Sequence, residues 1–164
     1  MTNANRFFIL LTASLLLISC GGQTPPPAKP TIITLEIEAS KDINLDAEGH
    51  ASPLALRIYE LKSFSVFNNI DFISLYKKDE SVLGPDLVRK QEFILEPGQK
   101  KTVRFEASND ARALGAFAVL RDYEKAEWRG VAGIRPHENT VVLVKANGNI
   151  LTLEYWLERP LENK

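Results

Sequence analysis

The amino-acid sequence predicts a mainly β protein: a two-sheet β-sandwich of seven or eight short strands, with a short helical insertion between strands 2 and 3. Three observations predict it. Most apolar segments alternate with period two, as half-buried strands do. Pro-Gly and Asn-Gly pairs separate those segments, where tight turns need them. One stretch, Phe64 to Lys77, changes to a helical period.

In the first strand Ile33, Leu35, Ile37 and Ala39 share one face, and Thr34, Glu36 and Glu38 the other. In the second, Leu54, Leu56 and Ile58 alternate with Ala55, Arg57 and Tyr59, which places Tyr59 on the outer face. The insertion follows. Val66, Phe67, Ile70, Ile73 and Tyr76 recur at three- and four-residue spacing, Asn68 or Asn69 can cap, and Asp71 suits a first turn. Glu96-Pro97-Gly98-Gln99 fits a type II turn. Val103, Phe105 and Ala107 alternate with Thr102, Arg104 and Glu106. Leu114 to Leu120 is apolar apart from Gly115 and reads as a central strand buried on both sides. Val141 to Val144 is β-branched and apolar, hence also covered on both faces. Asn147-Gly148-Asn149 marks a hairpin into the last strand, where Leu151, Leu153, Tyr155 and Leu157 face inward and Trp156 outward.

Before these strands lies a segment of another kind. Arg6 precedes an apolar run from Phe7 to Leu17, broken only by Thr12 and Ser14. The run is too short to cross a bilayer, which needs roughly 20 apolar residues, and has signal-peptide length. It ends Leu17-Ile18-Ser19-Cys20, which resembles the lipobox of bacterial lipoproteins. Cys20 is the sole cysteine, so no internal disulfide is available to it, and lipidation gives its thiol a use. Residues 1–19 thus read as a lipoprotein signal peptide. Residues 20–30 read as the lipidated cysteine and a Pro-rich tether, with prolines at 25, 26, 27 and 30. Fully extended, that tether would give roughly 25–30 Å of standoff at about 3.1 Å per residue. Residues 31–164 form the sandwich domain. Gly21, in place of an Asp at that position, resembles the signal for sorting to the outer membrane.

Composition narrows the function. The 164 residues carry 20 basic and 21 acidic side chains, and the leader's only charge is Arg6. A near-neutral chain without a basic block disfavours nucleic acid. His50 and His137 stand in separate polar loops without a cysteine or spaced carboxylates, so no metal site is expected. Glu36 with Glu38 is explained by a wet strand face, and Asp42 with Asp46 by a turn-rich loop. No phosphate loop, nucleophile elbow or catalytic triad context is present. The sequence therefore predicts no enzyme, no cofactor and no small-molecule substrate.

One combination of motifs goes further. Asn44 through Lys62, with its core Ser52-Pro53-Leu54-Ala55-Leu56-Arg57-Ile58-Tyr59-Glu60-Leu61, resembles the signature of the type VI secretion lipoprotein family, TssJ. The resemblance continues through Asp71-Phe72-Ile73-Ser74-Leu75-Tyr76, Leu83-Gly84-Pro85-Asp86-Leu87, the Pro97-Gly98 turn, Ala118-Val119-Leu120-Arg121-Asp122-Tyr123 and Ala126-Glu127-Trp128-Arg129. Leu45 stands where the family often has proline. The resemblance implies a transthyretin-like sandwich on the periplasmic side of a Gram-negative outer membrane, held there by acyl chains. It also implies a partner, the periplasmic C-terminal domain of the inner-membrane secretion subunit TssM, within the envelope-spanning complex that docks the injection machine. The family makes part of that contact with the loop between strands 1 and 2.

Here that loop is Lys41 to Ser52, and the residues expected to meet the partner are Asp42, Ile43, Asn44, Leu45, Asp46, Glu48 and His50. Ile43 and Leu45 are apolar residues in polar surroundings. They either anchor an interface or tuck back onto the sandwich. Charging both is expected to weaken the contact and leave the fold intact. The function expected is mechanical anchoring. The alternatives are a periplasmic lipoprotein that grips glycan or peptidoglycan, which would show clustered aromatics on one face, and an envelope assembly factor, which would offer an open strand edge.

Overall fold

The computed structural model describes residues 28–158. The signal peptide, Cys20 and most of the tether lie outside them. Two four-stranded sheets face each other. The first has strand order β4-β1-β7-β8, with β1 at Ile32–Ala39, β4 at Lys100–Glu106, β7 at Thr140–Asn147 and β8 at Ile150–Leu157. The second has order β3-β2-β5-β6, with β2 at Leu54–Leu61, β3 at Leu87–Leu95, β5 at Ala113–Val119 and β6 at Arg129–Gly133. Strand β1 pairs antiparallel with β4 (Leu35 opposite Val103) and parallel with β7 (Leu35 opposite Val142). All other ladders are antiparallel.

Period two fixes the core. Ile33, Leu35 and Ile37 meet Leu54, Leu56, Ile58, Leu114, Ala116 and Ala118 between the sheets, joined by Val142, Val144 and Leu151. Each fully buried Leu, Ile or Val contributes about 1.5–3 kcal/mol. The Pro97-Gly98 turn joins β3 to β4, with Gly98 at φ +80 and Gln99 donating to the Glu96 carbonyl at 3.0 Å. Gly148, at φ +56, takes the first loop position of the β7–β8 hairpin.

The helical insertion is a pair, α1 (Ser65–Asn69) and α2 (Phe72–Leu83). Asp71 is the N-cap of α2, outside its first turn, and its carboxylate accepts the Ser74 N–H at 2.9 Å. The helix runs past Lys77 through a kink at Lys78 and stops at Gly84, φ +49. Phe72, Leu75 and Leu83 press on the outer face of the second sheet, where Tyr59, Leu61, Phe67 and Phe117 complete a second core. Strand β5 is therefore buried on both sides, by the opposite sheet and by the helices.

Three side-chain placements are corrected. Tyr59 is buried rather than outward, because α2 covers its face and Asp79 accepts its hydroxyl at 3.0 Å. Tyr155 and Leu157, expected to face inward from β8, are 54% and 37% exposed, because β8 is the edge strand of its sheet; the Tyr155 hydroxyl passes Gly133. Trp156 is exposed on the outer side of the same strand.

Charged groups pin α2 to the sheet. Arg57 reaches the Tyr76 carbonyl and the Asp79 and Glu92 carboxylates, and Lys90 reaches Asp79 and Glu80. Nearby, the buried Glu60 accepts from Arg89 and from the Ser108 N–H. Arg129 stacks on Trp128 at 4.4 Å and donates to the Phe67 and Ile70 carbonyls at the end of α1.

The strand directions give the sandwich two poles. At one pole the chain enters β1: Thr31 accepts the Ala107 N–H, its hydroxyl accepts the His137 N–H, and His137 Nδ1 lies 2.7 Å from the Lys29 carbonyl oxygen. Strand β1 then runs about 26 Å at roughly 3.3 Å per residue. At its far end lie the β1–β2 loop, the Pro97-Gly98 turn and the β7–β8 hairpin, where Ser40 accepts from Gly98 and its hydroxyl from Gly148.

Candidate functional site

The β1–β2 loop is built by long-range ties. Asn44 takes φ +50, in the left-handed region that Asn tolerates better than most residues. Its Nδ2 donates to the Pro53 carbonyl at 2.8 Å, and its Oδ1 accepts the Arg121 N–H at 3.0 Å. Its own N–H donates to the Gly148 carbonyl at 3.4 Å. One side chain thus ties the loop to its own exit and to the segment after β5.

The second half of the loop folds around Asp46. Its carboxylate accepts the N–H groups of Glu48 at 3.0 Å and His50 at 2.8 Å. Its N–H donates to the His50 carbonyl, and its carbonyl accepts from Gly49, whose φ of +84 closes the turn. The His50 N–H, with that of Glu48, holds the Asp46 carboxyl below its usual range against the opposing effect of desolvation. The imidazole of His50 adds a contact at 3.4 Å.

The expected partner residues separate into two sets. Ile43 is fully buried in the main core, and Asn44 is 5% exposed. The expectation that Ile43 offers an apolar contact is corrected: between β1 and β2 the chain dips inward, and the Ser52 N–H donates to the Ile43 carbonyl. Charging Ile43 would place an unpaired carboxylate in the core, so the double change to Asp would not spare the fold. Leu45 is the apolar residue the loop does present, at 39% exposure. Asp42, Glu48 and His50 are exposed around it, with Asp46 half-buried at the base of the turn.

Two residues that local patterning did not single out belong to this pole. Arg121 supplies the N–H that Asn44 holds, and Ile150 is 47% exposed at the start of β8. Turn chemistry signals Gly148 beforehand, whereas nothing local to Arg121 signals a tie 77 residues away. Among the described residues no group of three or more His, Cys, Asp or Glu side chains is arranged to hold a metal ion, and no helix is long and apolar enough to cross a membrane. The loop offers a shaped, mostly acidic rim around one leucine, which suits a protein contact.

Comparison with known proteins agrees in fold and family. A family model described as type VI secretion lipoprotein (VasD, EvfM, TssJ) matches residues 31–149. The chain is similar to the T6SS lipoprotein TssJ1 from Pseudomonas aeruginosa, at 30% identity and TM-score 0.72, covering 80% of this chain and 98% of that one. It is similar to Serratia marcescens Lip, a membrane-bound component of the type VI secretion system, at 25% identity and TM-score 0.70, covering 76% and 98%. It also matches a chain in the solved structure described as the T6SS protein TssM C-terminal domain from EAEC, at 31% identity and TM-score 0.63, covering 74% and 99%. Among curated proteins none matches.

Proposed function

Because the chain belongs to the type VI secretion lipoprotein family, we propose that it is an outer-membrane lipoprotein, lipidated at Cys20 and facing the periplasm. In that place it anchors the envelope-spanning secretion complex by binding the periplasmic C-terminal domain of the inner-membrane subunit TssM. Part of the contact is made by the β1–β2 loop, through Leu45 with Asp42, Glu48 and His50. Ile43 and Asn44 shape the loop from within. On this reading the domain works by position and stiffness rather than by catalysis.

The observation that carries the reading is the placement of the two ends of β1. Lys29 and Thr31 bring the tether in at one pole, and the loop leaves from the other. A domain held by its N-terminus would point that loop away from the membrane, toward a subunit rooted in the opposite one. The match to a chain in a solved structure that bears the name of the TssM C-terminal domain supports the choice of partner.

Calorimetry tests it, with soluble residues 21–164 titrated with the purified periplasmic C-terminal domain of TssM. The reading expects binding, weakened at least tenfold by Leu45→Asp and unaffected by Ile94→Asp, a change of an exposed residue on β3. Equal binding by both variants would move the contact off the loop. No binding by the folded wild-type domain would refute the partner.

A further inference from the structure

We propose that the end of strand β8 at the tether pole, Tyr155-Trp156-Leu157, is a second membrane contact that rests in the lipid interface beside the acyl anchor. The proposal builds on lipidation at Cys20. It concerns a different part of the molecule from the β1–β2 loop.

Three consecutive large side chains here are exposed: Tyr155 at 54%, Trp156 at 45% and Leu157 at 37%. They project from both sides of an edge strand, with Leu157 at the pole and Tyr155 two residues in from it. Opposite Leu157 across the ladder is Thr140, and the Glu158 N–H donates to the Asn139 carbonyl. Asn139 lies two residues from His137, whose ring contacts the Lys29 carbonyl. The aromatic rim and the tether's point of entry therefore share one end of the sandwich.

Tyr and Trp join an apolar body to a polar tip and collect where hydrocarbon meets water. Three such side chains alone would bind a bilayer weakly. The ten residues from Gly21 to Pro30 keep this pole within roughly 30 Å of the surface at about 3.1 Å per residue. Contact then becomes an intramolecular step at high effective concentration, in which a weak patch suffices. A protein partner fits this rim less well, because the rim lies beside the point where the chain enters the domain at Lys29.

The test uses the full lipidated chain in vesicles of phosphatidylethanolamine and phosphatidylglycerol, with and without bromine on the acyl chains. Trp128 and Trp156 are the two tryptophans, so Trp128→Phe leaves Trp156 as reporter and Trp156→Phe leaves Trp128. The expected result is at least twofold quenching of Trp156 by brominated lipid and little quenching of the half-buried Trp128. If Trp128→Phe fails to fold, quenching of the wild type that disappears in Trp156→Phe carries the same meaning. A chain that floats with the vesicles but shows no quenching of Trp156 overturns the proposal and leaves the anchor standing. Concentration-dependent shielding of Trp156 from acrylamide without lipid quenching would assign the rim to a second copy and also overturn it. A chain that does not float would refute the lipid anchor, and the membrane contact with it.

Discussion

The side-chain oxygen of Asn44 accepts the backbone N–H of Arg121 at 3.0 Å, across 77 residues of sequence. With the bond from its Nδ2 to Pro53, this makes a buried amide the fastener of a loop whose outer residues are exposed. A loop held in this way can present a fixed surface without regular secondary structure of its own.

Asn44→Ala should cost about 1–3 kcal/mol, since it takes the partner from two part-buried backbone groups, the Pro53 carbonyl and the Arg121 N–H, and puts alanine at positive φ. Asn44→Gly should cost less, because glycine accepts that φ without strain. Chemical denaturation of the two variants checks the order. Equal losses would mean that the backbone conformation contributes nothing.

Ile43 and Leu45 should respond in opposite ways. Ile43→Ala should destabilise the domain by about 2–4 kcal/mol, as truncation of a buried isoleucine does. Leu45→Ala should move the melting temperature little while reducing partner binding. A folded Ile43→Asp variant as stable as wild type would contradict the core position of that side chain.

Gly115 faces the helices. A Cβ there would meet the Phe67 ring at 3.0 Å and Leu61 Cδ1 at 3.1 Å, and both side chains are fully buried. Gly115→Ala should therefore cost about 1–3 kcal/mol through overpacking. Phe67→Leu, by making room, should recover part of that loss in a double-mutant cycle. Additive losses would show that the two sites do not meet.

Asp79 gives the stability an acid limb. Burial acts to raise its carboxyl, but hydrogen bonds from Lys90, Tyr59 and the Glu80 N–H outweigh burial and hold it below its ordinary 3.8. A carboxyl lowered in the folded state adds stability that is fully present above its unfolded value and is lost as pH falls through the folded one. Thermal melts should thus fall on acidification below about pH 4. In Asp79→Asn the curve should start lower at neutral pH and descend less steeply. Parallel curves for the two proteins would remove Asp79 from the acid transition.

Much of this architecture is legible in the sequence, because alternation of period two places Ile33, Leu35, Ile37, Leu54, Leu56 and Ile58 on one face whatever the partner sheet is. The Pro97-Gly98 turn and the change to helical period after Phe64 are equally local. Alternation cannot say what covers the second face of a sheet. Tyr59 reads as outward because the residue of α2 that takes its hydroxyl, Asp79, lies twenty residues along the chain. The candidate loop is located by resemblance, but its division into buried and exposed residues depends on ties to Pro53, Arg121 and Gly148 that no short window contains. Ile43 and Leu45 look alike in the sequence and differ only once those ties bend the chain inward.

The pairing of β1 between β4 and β7 has a mechanical consequence. If the anchor holds residue 20 and a partner grips the loop after residue 40, tension between two membranes runs along β1 itself. That strand is already extended, so it has little slack to give. The load is carried by covalent backbone from one pole to the other, and the sandwich clamps the strand from both sides instead of lying in series with it. Pulling in this direction would strain the grip on the loop before it unravelled the domain.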